Sequence, residues 1–199
     1  MGRPGRAMSR STAVFLDRDG TINAAVVRDG KPYPPASLTE LVILPGAGAA
    51  IASLRAAGFR TIVVTNQPDV ANGKQRREVV EAINDALRSE LALDDVRVCY
   101  HADADVCTCR KPKPGLLLEA ARDWQIDLGR SFMVGDRWRD VDAGRAAGCR
   151  TVLIESGYTE KRSEPDFSVS SLAEACTIIL RATALPGGAS EGSRHAHGG

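Results

Sequence analysis

Short apolar runs alternate with amphipathic stretches along most of this chain. The apolar runs are rich in β-branched residues, and they predict strands near 13–17, 60–65, 96–100, 131–135 and 150–155. Between and after them, apolar residues recur at helical spacing near 46–57, 74–92, 114–124, 138–147 and 171–182. This alternation predicts an α/β fold, a Rossmann-like parallel sheet with helices on both faces. In sheets of this kind, ligands bind beyond the carboxyl ends of the strands.

Two carboxylates one residue apart follow the first predicted strand. Asp17 ends the apolar run, and Asp19 precedes Gly20, where the chain can turn and bring Asp19 back toward the same point. Converging carboxylates can hold one Mg²⁺, which lets an Asp oxygen approach an anionic phosphate. Asp17 is then a candidate covalent nucleophile, and Asp19 a candidate general acid and base. A surface turn rich in Asp and Gly is the alternative interpretation of this short string.

The second predicted strand ends in a hydroxyl and two amides, those of Thr65, Asn66 and Gln67. Thr65 can donate a hydrogen bond to a phosphoryl oxygen, although a threonine after a strand is more often a helix cap. We assign Asn66 and Gln67, together with Arg18, to substrate binding.

A basic segment stiffened by two prolines follows the third predicted strand. Within residues 109–115, Lys111 is the candidate clamp for the phosphoryl group. Arg110 can contact a second anionic group, because its planar guanidinium suits phosphate. A solvated basic turn is the alternative.

The fourth predicted strand runs into Gly-Asp. Asp136 can complete a Mg²⁺ site together with Asp17 and Asp19. Asp140 lies one helical turn further on, where it can reach back to orient Lys111 or a water without touching substrate.

Three thiols and an imidazole lie within eleven residues, at Cys99, His101, Cys107 and Cys109. Three cysteines and one histidine form a closed structural zinc set, although this spacing differs from that of common zinc fingers. A zinc loop at 99–109 would hold the neighbouring basic segment in place. Buried free thiols are the alternative.

The four motifs, DxDGT, Thr-Asn-Gln, Lys-Pro and Gly-Asp-xxx-Asp, resemble those of the haloacid dehalogenase superfamily of phosphohydrolases, in the same order and at strand ends. The resemblance covers residues 13 to about 156. CxH followed by CxCRKP is similar to one branch of it, the D-glycero-D-manno-heptose 1,7-bisphosphate phosphatases and the related histidinol-phosphate phosphatase domains.

This resemblance implies an aspartyl-phosphate mechanism with Mg²⁺ and a structural Zn²⁺. By position it makes Asp17 the nucleophile and Asp19 the acid and base. It also gives phosphoryl stabilisation to Thr65 and Lys111, substrate recognition to Arg110, and Mg²⁺ binding to Asp136.

The substrate stays open between two branches and other small phosphorylated metabolites. Asn72 stands where heptose enzymes usually have arginine, and the segment 24–32 lacks the His-Gly-Tyr often found there. The eight-residue step from Cys99 to Cys107 is closer to the histidinol-phosphate branch. A heptose bisphosphate is the leading prediction, and histidinol phosphate is the alternative.

The motif spacing predicts an enzyme without a cap domain. Asp17 and Thr65 are 48 residues apart, Thr65 and Lys111 are 46 apart, and predicted elements nearly fill both gaps. We predict a flexible segment at 1–12, a phosphatase domain at 13–182 and a disordered tail at 183–199. The histidines of the tail, His195 and His197, are expected to be incidental.

Charge and hydropathy argue against other partners. The chain carries 26 basic and 25 acidic residues, a net charge of +1, which disfavours nucleic-acid binding. No apolar run approaches the roughly 18 residues of a membrane span, and no signal peptide is evident. We expect a cytoplasmic monomer. A phospho-accepting signalling domain and a zinc-organised nucleic-acid-binding module are the non-enzyme alternatives.

Overall fold

The computed structural model describes residues 10–28, 31–161 and 163–184. Most of the predicted terminal segments, including His195 and His197, lie outside these residues, and their prediction stays untested.

All five predicted strands are confirmed to within about two residues, and three short ones join them. The strands of the described residues are β1 (Ala13–Leu16), β2 (Val26–Arg28), β3 (Lys31–Tyr33), β4 (Arg60–Asn66), β5 (Asp95–Cys99), β6 (Phe132–Gly135), β7 (Arg150–Ile154) and β8 (Phe167–Val169).

The five predicted helices are also present, with a short additional helix after β4. They are α1 (Ala47–Ala56), α2 (Pro68–Ala71), α3 (Arg77–Glu90), α4 (Gly115–Asp123), α5 (Trp138–Ala147) and α6 (Leu172–Ala184). Short 3₁₀ turns occur at Leu38–Glu40 and Leu128–Arg130.

Six strands form one parallel sheet in the order β5-β4-β1-β6-β7-β8. The central strand β1 lies between β4 and β6, with Leu16 opposite Val63 on one side and Val134 on the other. The Asp17 amide donates to the Val134 carbonyl at 2.9 Å, so the sheet pairing continues to the first predicted catalytic residue. The carboxyl ends of β1, β4 and β6 therefore meet at one edge of the sheet.

Alternate residues of β1 enter two separate cores. Val14 and Leu16 pack in the core that also contains buried side chains of α1, α3 and α6. Ala13 and Phe15 pack in the core formed with α4 and α5. Because successive strand side chains point to opposite faces, an uninterrupted apolar strand can bury both faces. The predicted parallel sheet with helices on both faces is confirmed.

The segment between β1 and β4 contains structure that the sequence pattern did not predict. The antiparallel hairpin of β2 and β3 pairs Val27 with Pro32, and it lies where we expected only a loop. Three-residue strands are too short to show a period of two, and proline in a strand usually indicates an edge.

Two predicted boundaries also shift. The Ser11 hydroxyl donates to the Trp124 carbonyl at 2.8 Å, and the Asp127 amide donates to the Ser11 carbonyl, so the predicted flexible segment is anchored from Ser11 onward. Helix α6 continues to Ala184, past the predicted end at 182. Among the described residues, every helix is too short or too polar to cross a membrane.

Candidate active site

A cavity of about 160 Å³ opens at the carboxyl ends of β1 and β4. We call it the active-site cavity. It is lined by Asp17, Asp19, Pro32, Tyr33, Pro34, Thr65, Asn66, Pro68, Asp69, Lys111, Arg137, Arg139 and Asp140. The predicted catalytic residues Asp17, Asp19, Thr65 and Lys111 all line it, although up to 94 residues separate them in the chain.

Lys111 is buried at the centre of the polar network, with its side chain 2% exposed. Its ammonium lies 2.9 Å from an Asp17 oxygen and 2.6 Å from an Asp140 oxygen, and it donates to the Val64 carbonyl at 2.8 Å. These acceptors satisfy all three N–H groups of the ammonium. Burial alone lowers the pKa of a lysine, but here the charges of Asp140 and Asp17 outweigh it and raise the Lys111 pKa.

Three buried carboxylates surround this single cation. Asp17, Asp136 and Asp140 each offer an oxygen within 4.8 Å of the others. Burial raises the pKa of Asp17 to about 6, with Lys111 opposing the shift, and burial raises the pKa of Asp136 well above its usual value. Both carboxylate oxygens of Asp136 are buried without a hydrogen bond of ordinary geometry, although the Tyr158 hydroxyl interacts with them.

This group of carboxylates fits a divalent cation. Hard oxygen ligands suit Mg²⁺, and a cation supplies the positive charge that one lysine cannot provide for three carboxylates. Asp17 and Asp136 are two of the three predicted Mg²⁺ ligands.

The third predicted ligand, Asp19, is not part of this group. Its carboxylate accepts hydrogen bonds from Arg18, from the Asn23 amide at 2.9 Å and from the Gln67 amide at 2.8 Å. These donors reach both oxygens and fix the orientation of the carboxylate. The Asp19 carboxylate thus lies outside the group of three carboxylates, and its geometry suits proton transfer, which needs a carboxyl held in one position.

The side chain of Arg18, which we had assigned to substrate binding, is fully buried and cannot touch a substrate. It is 0% exposed, and its guanidinium donates to Asp19 and, at 2.8 Å, to the Asn84 side-chain oxygen. Alternation along the chain turns Arg18 away from the face that carries Asp17. Arg18 therefore fixes the position of Asp19 from the protein interior.

Gln67 and Asn66 likewise position neighbours. Gln67 is buried, and its amide donates to Asp19 and to the Thr65 hydroxyl at 3.0 Å. Because the Thr65 oxygen accepts that bond, its own proton is available for a phosphoryl oxygen. Asn66 exchanges two hydrogen bonds with the backbone of Lys111, at 3.0 and 3.1 Å, and thereby joins the lysine segment to β4. Asn66 lines the cavity and can still contact a substrate. Gln67 is buried and does not line the cavity, which argues against the predicted substrate contact.

Two glycines let the carboxylates approach the backbone. A Cβ on Gly135 would lie 2.3 Å from the Asp140 carboxylate carbon, and a Cβ on Gly20 would lie 1.9 Å from an Asp136 oxygen. Gly20 also has a φ of +86°, which other residues rarely adopt. Asp140 accepts from the Arg137 amide at 3.0 Å, so it closes the first turn of α5 while it contacts Lys111.

The predicted zinc ligands also converge. The sulfur of Cys109 lies 3.3 Å from the sulfur of Cys99 and 3.3 Å from the His101 Nδ1, and the ligand atoms of all four residues, Cys107 included, lie within 4.8 Å of one another. Ligand atoms around a tetrahedral Zn²⁺ are about 3.5 to 3.8 Å apart, given its bond lengths. The cluster therefore fits zinc nearly as it stands.

The side chain of Arg110 folds back onto residues of the same loop. Its guanidinium contacts the Asp103 carboxylate at 2.7 Å and donates to the His101 carbonyl at 3.2 Å. The predicted recognition residue is thus held by the zinc loop.

Sequence reasoning missed several polar residues that support the site. Asn84 lies among Val80, Ile83 and Leu87 on the buried face of α3, and a polar residue at such a position is a signal that could have been found. Asn23 follows Asp19 at a distance of four residues in a turn, and the pattern gave no signal for it. Arg139 was not singled out because its position in the first turn of α5 resembles that of a solvated charge.

A family model of HAD-hydrolase-like proteins matches residues 108–175. The chain is 39% identical over 155 residues to the D-glycero-β-D-manno-heptose-1,7-bisphosphate 7-phosphatase of Pseudomonas aeruginosa, covering 75% of this chain and 84% of that protein. It is 38% identical over 151 residues to the enzyme of the same name from Rhodopseudomonas palustris, covering 70% and 81%.

Solved structures agree with these relatives. The D,D-heptose 1,7-bisphosphate phosphatase of B. bronchiseptica, crystallised with magnesium and phosphate, matches with a TM-score of 0.75 at 31% identity, over 86% of this chain and 99% of that one. A putative HAD-like phosphatase from Mesorhizobium loti matches with a TM-score of 0.71 at 32% identity, over 90% and 91%.

Proposed function

This chain belongs to the haloacid dehalogenase-like phosphatases, and on that premise we propose that it hydrolyses a phosphomonoester through an aspartyl-phosphate formed on Asp17. The preferred substrate is D-glycero-D-manno-heptose 1,7-bisphosphate, which loses its 7-phosphate. The observation that carries the mechanism is the buried contact of Lys111 with Asp17, with Asp19 held in the same cavity by donors from three side chains.

In the first half-reaction, an Asp17 oxygen attacks phosphorus and the ester bond to the leaving oxygen breaks. Asp19 gives its proton to that oxygen, so the product leaves as an alcohol. Lys111 and the Thr65 hydroxyl stabilise the negative charge on the phosphoryl oxygens. Mg²⁺ held by Asp17 and Asp136 would supply further positive charge against these oxygens.

In the second half-reaction, Asp19 removes a proton from a water whose oxygen attacks phosphorus. The bond from phosphorus to Asp17 breaks, inorganic phosphate leaves, and both carboxyl groups return to their starting states. The fixed orientation of Asp19 favours this turnover over a long-lived phosphorylated state, which would characterise the signalling alternative.

The names of the relatives support the heptose substrate, and Arg110 offers a cation for a second anionic group. The short step between Cys99 and Cys107 keeps histidinol phosphate as the second candidate. We further propose a structural Zn²⁺ on the cluster of Cys99, His101, Cys107 and Cys109, and a monomer in a reducing, cytoplasmic environment, since such ligands must stay as thiols or thiolates.

The test is steady-state phosphate release, with Mg²⁺, from both anomers of the heptose bisphosphate and from histidinol phosphate. A strong preference for the heptose bisphosphate supports the proposal, and a preference for histidinol phosphate transfers the enzyme to the other branch. Poor release from all three leaves the mechanism to be judged on p-nitrophenyl phosphate, where the absence of Mg²⁺-dependent hydrolysis would overturn it.

A further inference from the structure

Two guanidinium groups converge on one carboxylate oxygen at the edge of the active-site cavity. Asp103, in the zinc loop, lies 2.7 Å from Arg110 and 3.3 Å from Arg139, and both contacts end at the same Oδ1 atom. Arg110 belongs to the loop and Arg139 to the first turn of α5, so the carboxylate joins two separate elements.

The two arginines are largely or partly buried, whereas the aspartate is exposed to solvent. The side chain of Arg110 is 11% exposed and that of Arg139 is 26% exposed, but that of Asp103 is 72% exposed. The Arg139 guanidinium lies 5.3 Å from the centre of the Trp138 ring, and its Nε–H is buried with no acceptor. An exposed ion pair contributes little stability, so the carboxylate can be displaced at low cost.

The size of the cavity determines where a second anionic group can bind. At about 160 Å³ the cavity is smaller than the roughly 300 Å³ of an ordinary ligand pocket, so it holds the reacting phosphoryl end and little more. Arg139 lines this cavity, and its contact with Asp103 connects it to Arg110 outside. The rest of an extended substrate must therefore pass this pair of arginines.

We propose that Arg139 joins Arg110 in binding the second, non-reacting phosphate of a bisphosphate substrate, and that Asp103 occupies this position until the phosphate displaces its carboxylate. A phosphate offers three acceptor oxygens to two planar donors, whereas Asp103 offers one oxygen to both. The inference rests on the proposed function, because it explains how a bisphosphate is distinguished from a monophosphate.

The test compares the KM of the heptose 1,7-bisphosphate with that of the heptose 7-phosphate in the Mg²⁺-loaded protein. Arg139→Gln should raise the KM of the bisphosphate about tenfold, the loss of one charge-assisted contact, and raise the KM of the monophosphate much less. Asp103→Asn should lower the KM of the bisphosphate alone, because it removes the competing charge. Arg122→Gln, which alters an exposed arginine paired with its neighbour Asp123, is the matched control.

Equal effects of Arg139→Gln on both substrates, or no effect, would overturn the inference, as would a higher bisphosphate KM in Asp103→Asn. Failure of the proposed function is detected separately, from the substrate preference of the wild-type protein. If the wild type does not prefer the heptose bisphosphate, the comparison becomes inhibition of p-nitrophenyl phosphate hydrolysis by a hexose 1,6-bisphosphate and the hexose 6-phosphate. The ratio of the two inhibition constants must then change in Arg139→Gln, and an unchanged ratio refutes the arginine pair.

Discussion

At the level of single residues, the site concentrates more negative charge around Lys111 than that one ammonium can neutralise. Asp17, Asp136 and Asp140 converge around Lys111, and in a poorly solvated site such repulsion is costly. The proposed mechanism requires this arrangement, because it makes Asp17 both the nucleophile and a neighbour of the cation. The stability of the free protein is reduced in consequence.

Asp17→Asn should therefore separate stability from activity. We expect phosphate release to fall at least about 1,000-fold, since the amide cannot form the covalent intermediate. Without Mg²⁺ the variant should unfold at a higher temperature than the wild type, because one of three buried like charges is gone while Lys111 keeps Asp140. Thermal melts in EDTA with parallel phosphate assays measure both effects. Asp142→Asn, at an exposed ion pair, is the control.

Gln67→Met should reduce turnover without weakening substrate binding. The change keeps the volume but removes the donor to Asp19 and to Thr65, so both catalytic groups lose their fixed orientation. We expect kcat to fall about tenfold to a hundredfold, with KM nearly unchanged, since a misoriented Asp19 loses part of the roughly 100-fold to 10,000-fold that positioned proton transfer contributes. Gln75→Met changes a glutamine whose side chain donates to the Ala36 carbonyl and accepts from the Arg76 amide, away from the cavity, and it should leave both constants alone. A purely raised KM would assign Gln67 to substrate binding after all.

At the level of secondary-structure elements, the zinc loop and the lysine segment form one unit. The Lys113 ammonium donates to the Cys107 carbonyl, and the Gly115 amide donates to the Thr108 carbonyl at 3.1 Å. The backbone N–H of Gln67 donates to the Cys99 carbonyl at 2.7 Å, which connects the same loop to the end of β4. Loosening the loop should therefore displace Arg110 and disturb the site.

Cys107→Ser should weaken zinc binding and raise KM more than it lowers kcat. A hydroxyl is a poor replacement for a thiolate ligand, and the freed loop no longer fixes Arg110. Elemental analysis, melting temperature and steady-state kinetics should change together. Cys176→Ser is the control, since Cys176 lies in α6 and donates to the Ala50 carbonyl, a bond that a hydroxyl can keep. A wild-type protein that contains no metal and is equally stable in chelator would refute the zinc site.

The sequence predicted the elements that carry chemistry better than the contacts within them. Strand ends were predictable because the apolar runs of β1, β4 and β6 stop at polar residues, and parallel strands place those residues together. The direction of the Arg18 side chain was not predictable, because the turn after the strand decides which side chains face the cavity. The β2 and β3 strands are too short to show an alternation of apolar and polar residues. The role of Asp103 could not be predicted either, because it depends on the contact with Arg139, which lies 36 residues away in the chain.

At the level of the whole molecule, two carboxylates hold the amino-terminal ends of sheet strands, opposite the active site. Asp94 accepts from the Thr61 amide at 2.9 Å and pairs with Arg60 at 2.7 Å, where β4 begins. Asp166 accepts from the Thr151 amide at 2.7 Å, where β7 begins. In both cases burial opposes ionisation, but the hydrogen bonds and nearby arginines outweigh it and lower the pKa below its usual value.

These two groups should make the fold sensitive to acid in a defined direction. A carboxyl group with a lower pKa in the folded state stabilises the protein above its unfolded pKa, about 3.9, and loses that contribution as the pH falls through the folded value. Asp94→Asn should therefore cost about 1.5 to 3 kcal/mol of unfolding free energy at pH 7, the range for one hydrogen bond to a charged group, and much less at pH 3. Denaturant unfolding at both pH values measures the difference, with Asp142→Asn, at a partly exposed ion pair, as control. A penalty as large at pH 3 as at pH 7 would show that packing, and not the charge of Asp94, holds the start of β4.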